Sequence, residues 1–338
     1  MRGRLGIRVL MGLLAAALLT PVLTSPAAGA NATSTCAATK LSRVSYTAID
    51  GHAETLIPWE GTNVAVLVEP GITRDPSVMS RMVCAFDRAW AYYKKTTGET
   101  PVPIKTINGR TDVAEVSSTC GAGCTYLGGA GTEIQTTYFE NGYDEIANHN
   151  LYDQVPFYEF GRSFWFWSDQ LQYSDPCTHP DPAATGFAVW MRFRSMIAAG
   201  VGGAPFNGTP FDTFRSRVRG LEGVYDNDTS DTFAGTLCAN TSPGAYGGTD
   251  FWASIMMKLA SLYGGQMFVR RFFSRLSSLP AATDTPSAIT NWLHASHYAS
   301  CVDLKSVFYK RWGFPQPDGS VVDPRPAAST VPFPTGHC

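Results

Sequence analysis

Cysteine content is the feature that most constrains how this chain of 338 residues can fold. Eight cysteines occur, all of them after residue 30: Cys36, Cys84, Cys120, Cys124, Cys177, Cys238, Cys301 and Cys338. An even number of cysteines predicts four disulfides if the chain folds in an oxidising compartment, although the sequence does not assign the pairs. Cys120 and Cys124 flank Gly-Ala-Gly, which favours a local bridge across a tight loop. A zinc site would need a second Cys/His pair at matching spacing, and the sequence contains none.

The first 30 residues have the pattern of a secretory signal peptide. Arg2, Arg4 and Arg8 precede an apolar run over 9–23, and small residues over 28–30 supply a cleavage site. The apolar run is short for a membrane span, and no later stretch is long and apolar enough to form one. We therefore predict a secreted, extracellular protein without a membrane span after signal cleavage; a signal anchor is the alternative.

Charge and missing motifs exclude several classes of function. After residue 30 the formal charge is −5, from 23 Lys and Arg against 28 Asp and Glu. This acidic balance, with no basic block, argues against nucleic acid as a partner. The sequence has no G-x-S-x-G motif, P-loop or dinucleotide fingerprint, which disfavours α/β-hydrolases, NTPases and dehydrogenases. The sequence leaves the partner unknown, and an extracellular glycan or protein ligand is one candidate.

Periodicity along the chain predicts an α+β fold. Residues 64–68 form a compact apolar run typical of a buried strand, and Asp75-Pro76 begins a helix that ends at Gly98. Strands are predicted over 102–107 and 132–138, and helices over 153–172, 186–199, 251–263, 266–279, 286–299 and 303–312. We therefore predict a mixed lobe over 31–180, a mostly helical lobe over 181–314 and a Pro-rich tail over 315–338.

The aromatic helix predicted from residue 153 carries the most informative pattern. Tyr158 and Arg162 are four residues apart on one face, and Glu159 lies beside Tyr158. A carboxylate among so many aromatic side chains is costly to bury unless it is paired or functional. An arginine partner would keep Glu159 ionised, whereas burial alone would favour its neutral form.

The order of these elements resembles the catalytic lobe of zincin metallopeptidases. The ending of the helical half, Asp303-Leu304 followed by Phe308, Tyr309 and Trp312-Gly313-Phe314-Pro315, is similar to the closing helix of the gluzincin type. In those enzymes the second helix carries H-E-x-x-H, whose two histidines bind zinc and whose glutamate is the general base. Here the same positions read Tyr158-Glu159-Phe160-Gly161-Arg162. The Glu and the Gly match, but both zinc ligands are replaced.

The resemblance implies a zincin-like fold that has lost its zinc, because tyrosine is a poor zinc ligand and a guanidinium stays protonated. One hypothesis is a non-peptidase binding or structural protein. Another is an extracellular hydrolase, directed at glycans or peptides, that uses Glu159 with a second carboxylate; a third is a metallopeptidase with unusual ligands. The sequence leaves enzymatic activity open. The candidate residues around Glu159 are Tyr158, Arg162, Glu133, Tyr138 and Trp165, with Glu140 and Asp169 as further carboxylates and Trp167 as a further wall.

An oxygen-rich loop near the middle of the chain is the one candidate for calcium. Asp226, Asp228 and Asp231 fall within six residues, and calcium favours such clusters outside cells. The glycine and terminal glutamate of an EF-hand are missing, so a solvated turn with helix-capping acids is the competing interpretation. No other cofactor is predicted.

Overall fold

The computed structural model describes residues 36–243 and 248–338, so the predicted signal peptide over 1–30 lies outside the described residues. Cys36–Cys338 form one compact unit. The strands are β1 (Thr39–Lys40), β2 (Val44–Thr47), β3 (Ala53–Glu60), β4 (Val64–Val68), β5 (Thr106–Ile107), β6 (Arg110–Val116), β7 (Gly123–Thr125), β8 (Thr132–Gln135), β9 (Leu151–Tyr152) and β10 (Gly202–Gly203).

The main sheet is mixed and has the order β1-β3-β4-β6-β8-β7, with β2 paired to β3 and β5 paired to β6. Strands β4, β6 and β8 are parallel to one another, whereas β3 and the edge strand β7 run antiparallel to their neighbours. One face packs against helices, and the other carries a smaller apolar cluster beneath β2 that includes Tyr46 and Leu56.

The helices alternate with strands in the first half and dominate the second. They are α1 (Pro76–Thr97), α2 (Thr136–His149), α3 (Val155–Ser163), α4 (Ser168–Leu171), α5 (Pro182–Ala199), α6 (Phe211–Asn227), α7 (Gly248–Leu262), α8 (Gln266–Leu276) and α9 (Thr285–Ser300), followed by a π-helical turn (Val307–Arg311) and a 3-10 turn (Ala328–Thr330). From residue 181 onward, β10 is the only strand among the described residues. The molecule is therefore an α+β protein with a mixed N-terminal half and a helical C-terminal half, as predicted.

Local sequence signals account for α1. Asp75 Oδ1 accepts hydrogen bonds from Ser77 N at 2.7 Å and Val78 N at 3.2 Å, and Gly98 ends the helix with φ near +81°. These contacts satisfy backbone groups that the helix itself leaves unpaired. Both ends of this helix were predicted.

The prediction of one continuous helix over 153–172 was wrong, because α3 ends at Ser163 and α4 begins at Ser168. Trp165 and Trp167 are both 1% exposed, and their ring centroids lie 5.5 Å apart. Residues two apart on a helix point about 200° away from each other, so a continuous helix would place the two rings on opposite faces. The break buries both.

The strand predicted over 132–138 was also too long, because β8 ends at Gln135 and α2 begins at Thr136. Phe139, Gly142 and Ile146 of α2 are buried, with the three- and four-residue spacing of a helix face. Packing of that face decides the conformation of residues whose β-branched side chains favour a strand.

All eight cysteines are paired. The disulfides are Cys36–Cys84, Cys120–Cys124, Cys177–Cys238 and Cys301–Cys338. The bridge predicted across the 120–124 loop is present at the start of edge strand β7. No helix among residues 36–243 and 248–338 has the length and apolar character needed to cross a bilayer.

Candidate functional site

Helix α3 positions the site because it is held on two sides. It packs against strands β7 and β8 on one side and against α5 on the other. Phe157 and Phe160 are fully buried and meet the ring of Phe86 edge to face. A Cβ at Gly161 would come within 2.6 Å of Ala188 Cα on α5, so the two helix backbones approach as closely as glycine allows.

Glu159 is buried against the edge of the sheet and is 5% exposed. A Cβ at Gly123 of β7 would come within 3.0 Å of Glu159 Cγ, so the Glu159 side chain packs directly against the backbone of this strand. Arg162 Nε is 3.9 Å from Glu159 Oε2, and that oxygen has no hydrogen-bond partner among the described residues. Burial raises the pKa of Glu159 to about 7, against an opposing contribution from Arg162. Neutral and ionised forms are therefore both accessible near neutral pH.

Arg192 of α5 is the residue of this site that sequence reasoning missed. It is 5% exposed, and its guanidinium carbon lies 5.8 Å from the ring centroid of Tyr158. The rings of Phe193, Phe206 and Phe214 surround it at 4.7–5.1 Å. The described residues offer Arg192 no carboxylate within ion-pair distance. Burial lowers its pKa to about 10, which leaves it a cation at neutral pH. The sequence signal for it is a pair of arginines, Arg192 and Arg194, on an otherwise uncharged helix.

Tyr158 and Arg162 lie beside each other on α3, as their spacing predicted. Both are half-buried, and burial raises the pKa of Tyr158 while the positive charge of Arg162 opposes that shift. Tyr158 and Arg162 occupy the two positions where the resemblance would put zinc ligands, and Arg192 lies against the ring of Tyr158. This donor set does not fit zinc, because neither arginine offers a lone pair.

Glu133 does not belong to this site. It is fully buried on β8 and accepts hydrogen bonds from Tyr46 Oη at 2.9 Å, Ile49 N at 2.6 Å and Thr119 Oγ1 at 3.0 Å. Its neighbour Ile134 faces the helices, so the alternation of β8 turns Glu133 to the opposite face of the sheet. The candidate pairing of Glu159 with Glu133 was therefore wrong.

A second buried polar cluster surrounds Glu133, and the sequence did not indicate it. Lys105 Nζ is 3.6 Å from Glu133 Oε1 and 4.5 Å from the ring centroid of Tyr46. Asp112 is also buried, one of its oxygens lacks a hydrogen-bond partner among the described residues, and burial raises its pKa to about 7. The cluster lies beneath the β2–β3 hairpin.

The aromatic candidates separate into core and surface. Trp165 is not a cleft wall: it is buried, and its Nε1 donates to Ser168 Oγ at 2.8 Å and Asp181 Oδ2 at 3.1 Å. Trp167 is likewise buried and stacks on Phe273 at 4.5 Å. Tyr138 of α2 is 44% exposed and borders a small apolar cavity between α1, α2 and α3.

The remaining carboxylate candidates have other surroundings. Glu140 bonds the buried guanidinium of Arg74, which also donates to Glu115 at 2.9 and 3.0 Å. Asp169 is exposed on the short helix α4. The charge of Arg162 opposes the effect of burial on the pKa of the Glu159 carboxyl. The described residues therefore give Glu159 no carboxylate partner.

In the acidic loop that was a calcium candidate, oxygen atoms accept hydrogen bonds from arginine side chains. Asp226 Oδ2 accepts from Arg311 Nε at 2.9 Å, and Arg325 donates to the carbonyl oxygens of Asp228 and Asp231 at 2.6 and 2.9 Å. The described residues contain no group of three or more His, Cys, Asp or Glu arranged to hold a metal ion. The geometry of this loop therefore does not favour calcium.

No family model and no curated protein matches the sequence. Two similar solved structures are a functionally unknown conserved protein from Bacillus anthracis str. Ames and a mutant of such a protein from the same strain. The mutant structure has 13% identity and a TM-score of 0.50, and the other has 12% identity and a TM-score of 0.49. Each match covers 83% of this chain and 52% of the other, so this chain spans about half the length of both. At this identity the likeness concerns the fold alone.

Proposed function

We propose that this chain is a secreted, zincin-like protein that has lost its zinc site and acts as a non-peptidase binding protein. The observation that carries the proposal is the position of Arg192, a buried cation against the ring of Tyr158. A divalent metal in the same space would be repelled by Arg192 and by Arg162. Two cations and a phenol are instead suited to an anionic or hydrogen-bond-accepting group of a glycan or protein ligand.

The arrangement of strands and helices supports the proposed resemblance to zincins. Edge strand β7 runs antiparallel to β8 and lies directly against α3, the helix with the degenerate motif. Helix α1 follows the central strand β4, and helices dominate after residue 181. Export is supported by the four disulfides, since such bonds persist in oxidising compartments.

The experiment is elemental analysis of protein purified without chelator, with thermal unfolding measured before and after treatment with EDTA. We expect far less than one zinc per chain and an unfolding midpoint that EDTA does not shift. About one zinc per chain, with a midpoint that falls on its removal, would overturn the proposal, because a bound metal stabilises the folded state.

A hydrolase that uses Glu159 is the second candidate, and the raised pKa of that carboxyl favours it. A carboxylic acid protonated near neutral pH is what general acid catalysis requires. The test is turnover of labelled casein and of a panel of 4-methylumbelliferyl glycosides by wild type and Glu159→Gln. Turnover that the substitution abolishes would establish the hydrolase and exclude the binding protein; absence of turnover by wild type supports the binding protein.

A further inference from the structure

A cavity of about 310 Å³ lies between α5, α6 and α7, away from the α3 site. Its volume falls at the lower end of the range for small-molecule sites. Arg192 and Arg194 are two residues apart on α5 and so point in nearly opposite directions. Arg192 meets α3, whereas Arg194 borders this cavity.

Three arginines border the cavity: Arg194, Arg215 and Arg219. Arg215 and Arg219 are four residues apart on α6 and therefore share one face. No acidic residue is among the described residues that line the cavity. Since the chain as a whole is acidic, this local excess of positive charge runs against its average composition.

The arginines retain unused hydrogen-bonding capacity. Arg194 donates through Nε to Tyr92 Oη at 2.8 Å and through Nη2 to Gln266 Oε1 at 2.6 Å, which fixes its position on the cavity wall. Arg215 Nη2 lies 3.0 Å from Asp212, which is largely exposed. The guanidinium of Arg219 has no partner among the described residues. Each guanidinium has five N–H donors, so most of them remain available to a ligand.

The rest of the lining is apolar or neutral and includes the N-terminus of a helix. Trp190, Phe193, Met257 and Ala260 supply apolar surface. Gly265, the N-cap of α8, also borders the cavity and adds the positive end of a helix dipole. The lining thus combines positive charge with an apolar wall.

We propose that this cavity binds a small amphipathic anion, an organic carboxylate or phosphate ester with a short apolar body. The head group pairs with Arg215 and Arg219, for which carboxylate and phosphate are the matching acceptors. The apolar body lies against Trp190 and Met257. This inference is independent of the function proposed for the α3 site.

The experiment is isothermal titration calorimetry of the full chain with octanoate and octyl phosphate, using 1-octanol as the neutral control. We expect one-to-one binding of at least one anion, no measurable binding of 1-octanol, and weaker binding as salt is raised. Whichever anion binds more tightly identifies the head group. Binding of neither anion, or equal binding of 1-octanol, would overturn the proposal.

Variants locate the binding. We expect Arg219→Gln and Arg215→Gln each to weaken binding of the better anion about tenfold or more, as loss of a charge-assisted hydrogen bond does. Met257→Trp should abolish binding by filling the apolar wall, and it provides a test that does not depend on charge. Arg43→Gln removes an exposed arginine outside the cavity and should leave binding unchanged. Unchanged affinity in Arg219→Gln, Arg215→Gln and Met257→Trp would place the anion elsewhere and overturn the proposal.

Discussion

At the scale of single residues, burial and not pairing sets the state of the α3 site. Glu159 and Arg162 are three residues apart, yet 3.9 Å separates their nearest charged atoms. An ion pair at that distance offsets little of the cost of removing a carboxylate from water. The pKa of Glu159 therefore rises instead of falling. Helix spacing brought the two residues together, but it did not determine which protonation state the surroundings favour.

Replacement of Glu159 by glutamine should change how stability depends on pH. Because the pKa of Glu159 is about 7 in the folded state and 4.5 unperturbed, its contribution is complete below pH 4.5 and is lost as pH rises through 7. Glutamine does not titrate. We expect similar stability of wild type and Glu159→Gln at pH 4, and at pH 8 a variant more stable by up to about 3 kcal/mol. Urea unfolding at both pH values measures the difference.

The matched control is Glu69→Gln, which removes an exposed carboxylate and should change stability little at either pH. A Glu159→Gln variant that is less stable than wild type at pH 8 would contradict the prediction. That result would mean that Arg162 keeps the carboxylate ionised and that the two residues form a structural pair.

At the scale of elements, the contact between α3 and α5 brings the site together. Gly161 permits the close approach of the two helices, and Arg192 reaches Tyr158 across the same contact. The Gly that matches the zincin motif thus has a packing reason in this chain. A larger side chain there would move α3 relative to both α5 and the edge strand.

We expect Gly161→Ala to destabilise the protein by about 1–3 kcal/mol, because the new methyl group would overlap the α5 backbone. Gly220→Ala is the matched control: Gly220 lies within α6, and a Cβ there meets no atom within 4 Å. That change should stabilise the protein by about 0.5–1 kcal/mol, since alanine is the better helix former. Denaturant unfolding of both variants checks the pair. Equal effects in the two would show that α3 and α5 are not in close contact.

At the scale of the whole molecule, disulfides link segments far apart in sequence. Cys36–Cys84 ties the N-terminal segment to α1, and Cys301–Cys338 ties the Pro-rich tail to the end of α9. Cys177–Cys238 closes the longest loop, with a sequence separation of 61. Such bridges stabilise mainly by restricting the unfolded chain, typically by about 2–4 kcal/mol each.

Thiol titration of denatured, unreduced protein should therefore give close to zero thiols per chain, because all eight cysteines are paired. The same assay after reduction should give eight and serves as the control for complete reaction. Two or more reactive thiols before reduction would contradict the pairing. Reduction should also lower the thermal unfolding midpoint.

The sequence by itself determined the features whose cause is local. Asp75, Pro76 and Gly98 set the ends of α1 because capping depends on residues within one helical turn. The Cys120–Cys124 bridge follows from a loop too short to place the two sulfurs far apart. Helix periodicity likewise brought Tyr158, Glu159 and Arg162 together, and a mixed first half followed by a mostly helical second half predicted the α+β class.

Only the tertiary structure decided the features that depend on contacts between distant segments. The break between α3 and α4 allows Trp165 and Trp167 to pack next to each other in the core. Glu133 points away from Glu159 because successive side chains of β8 point to opposite faces of the sheet. One face packs against the helices and the other against the smaller apolar cluster beneath β2. Arg192 joins the site from a helix about 30 residues further along the chain. Such contacts produce no periodic pattern in the sequence, because the residues that make them are close in space but far apart along the chain.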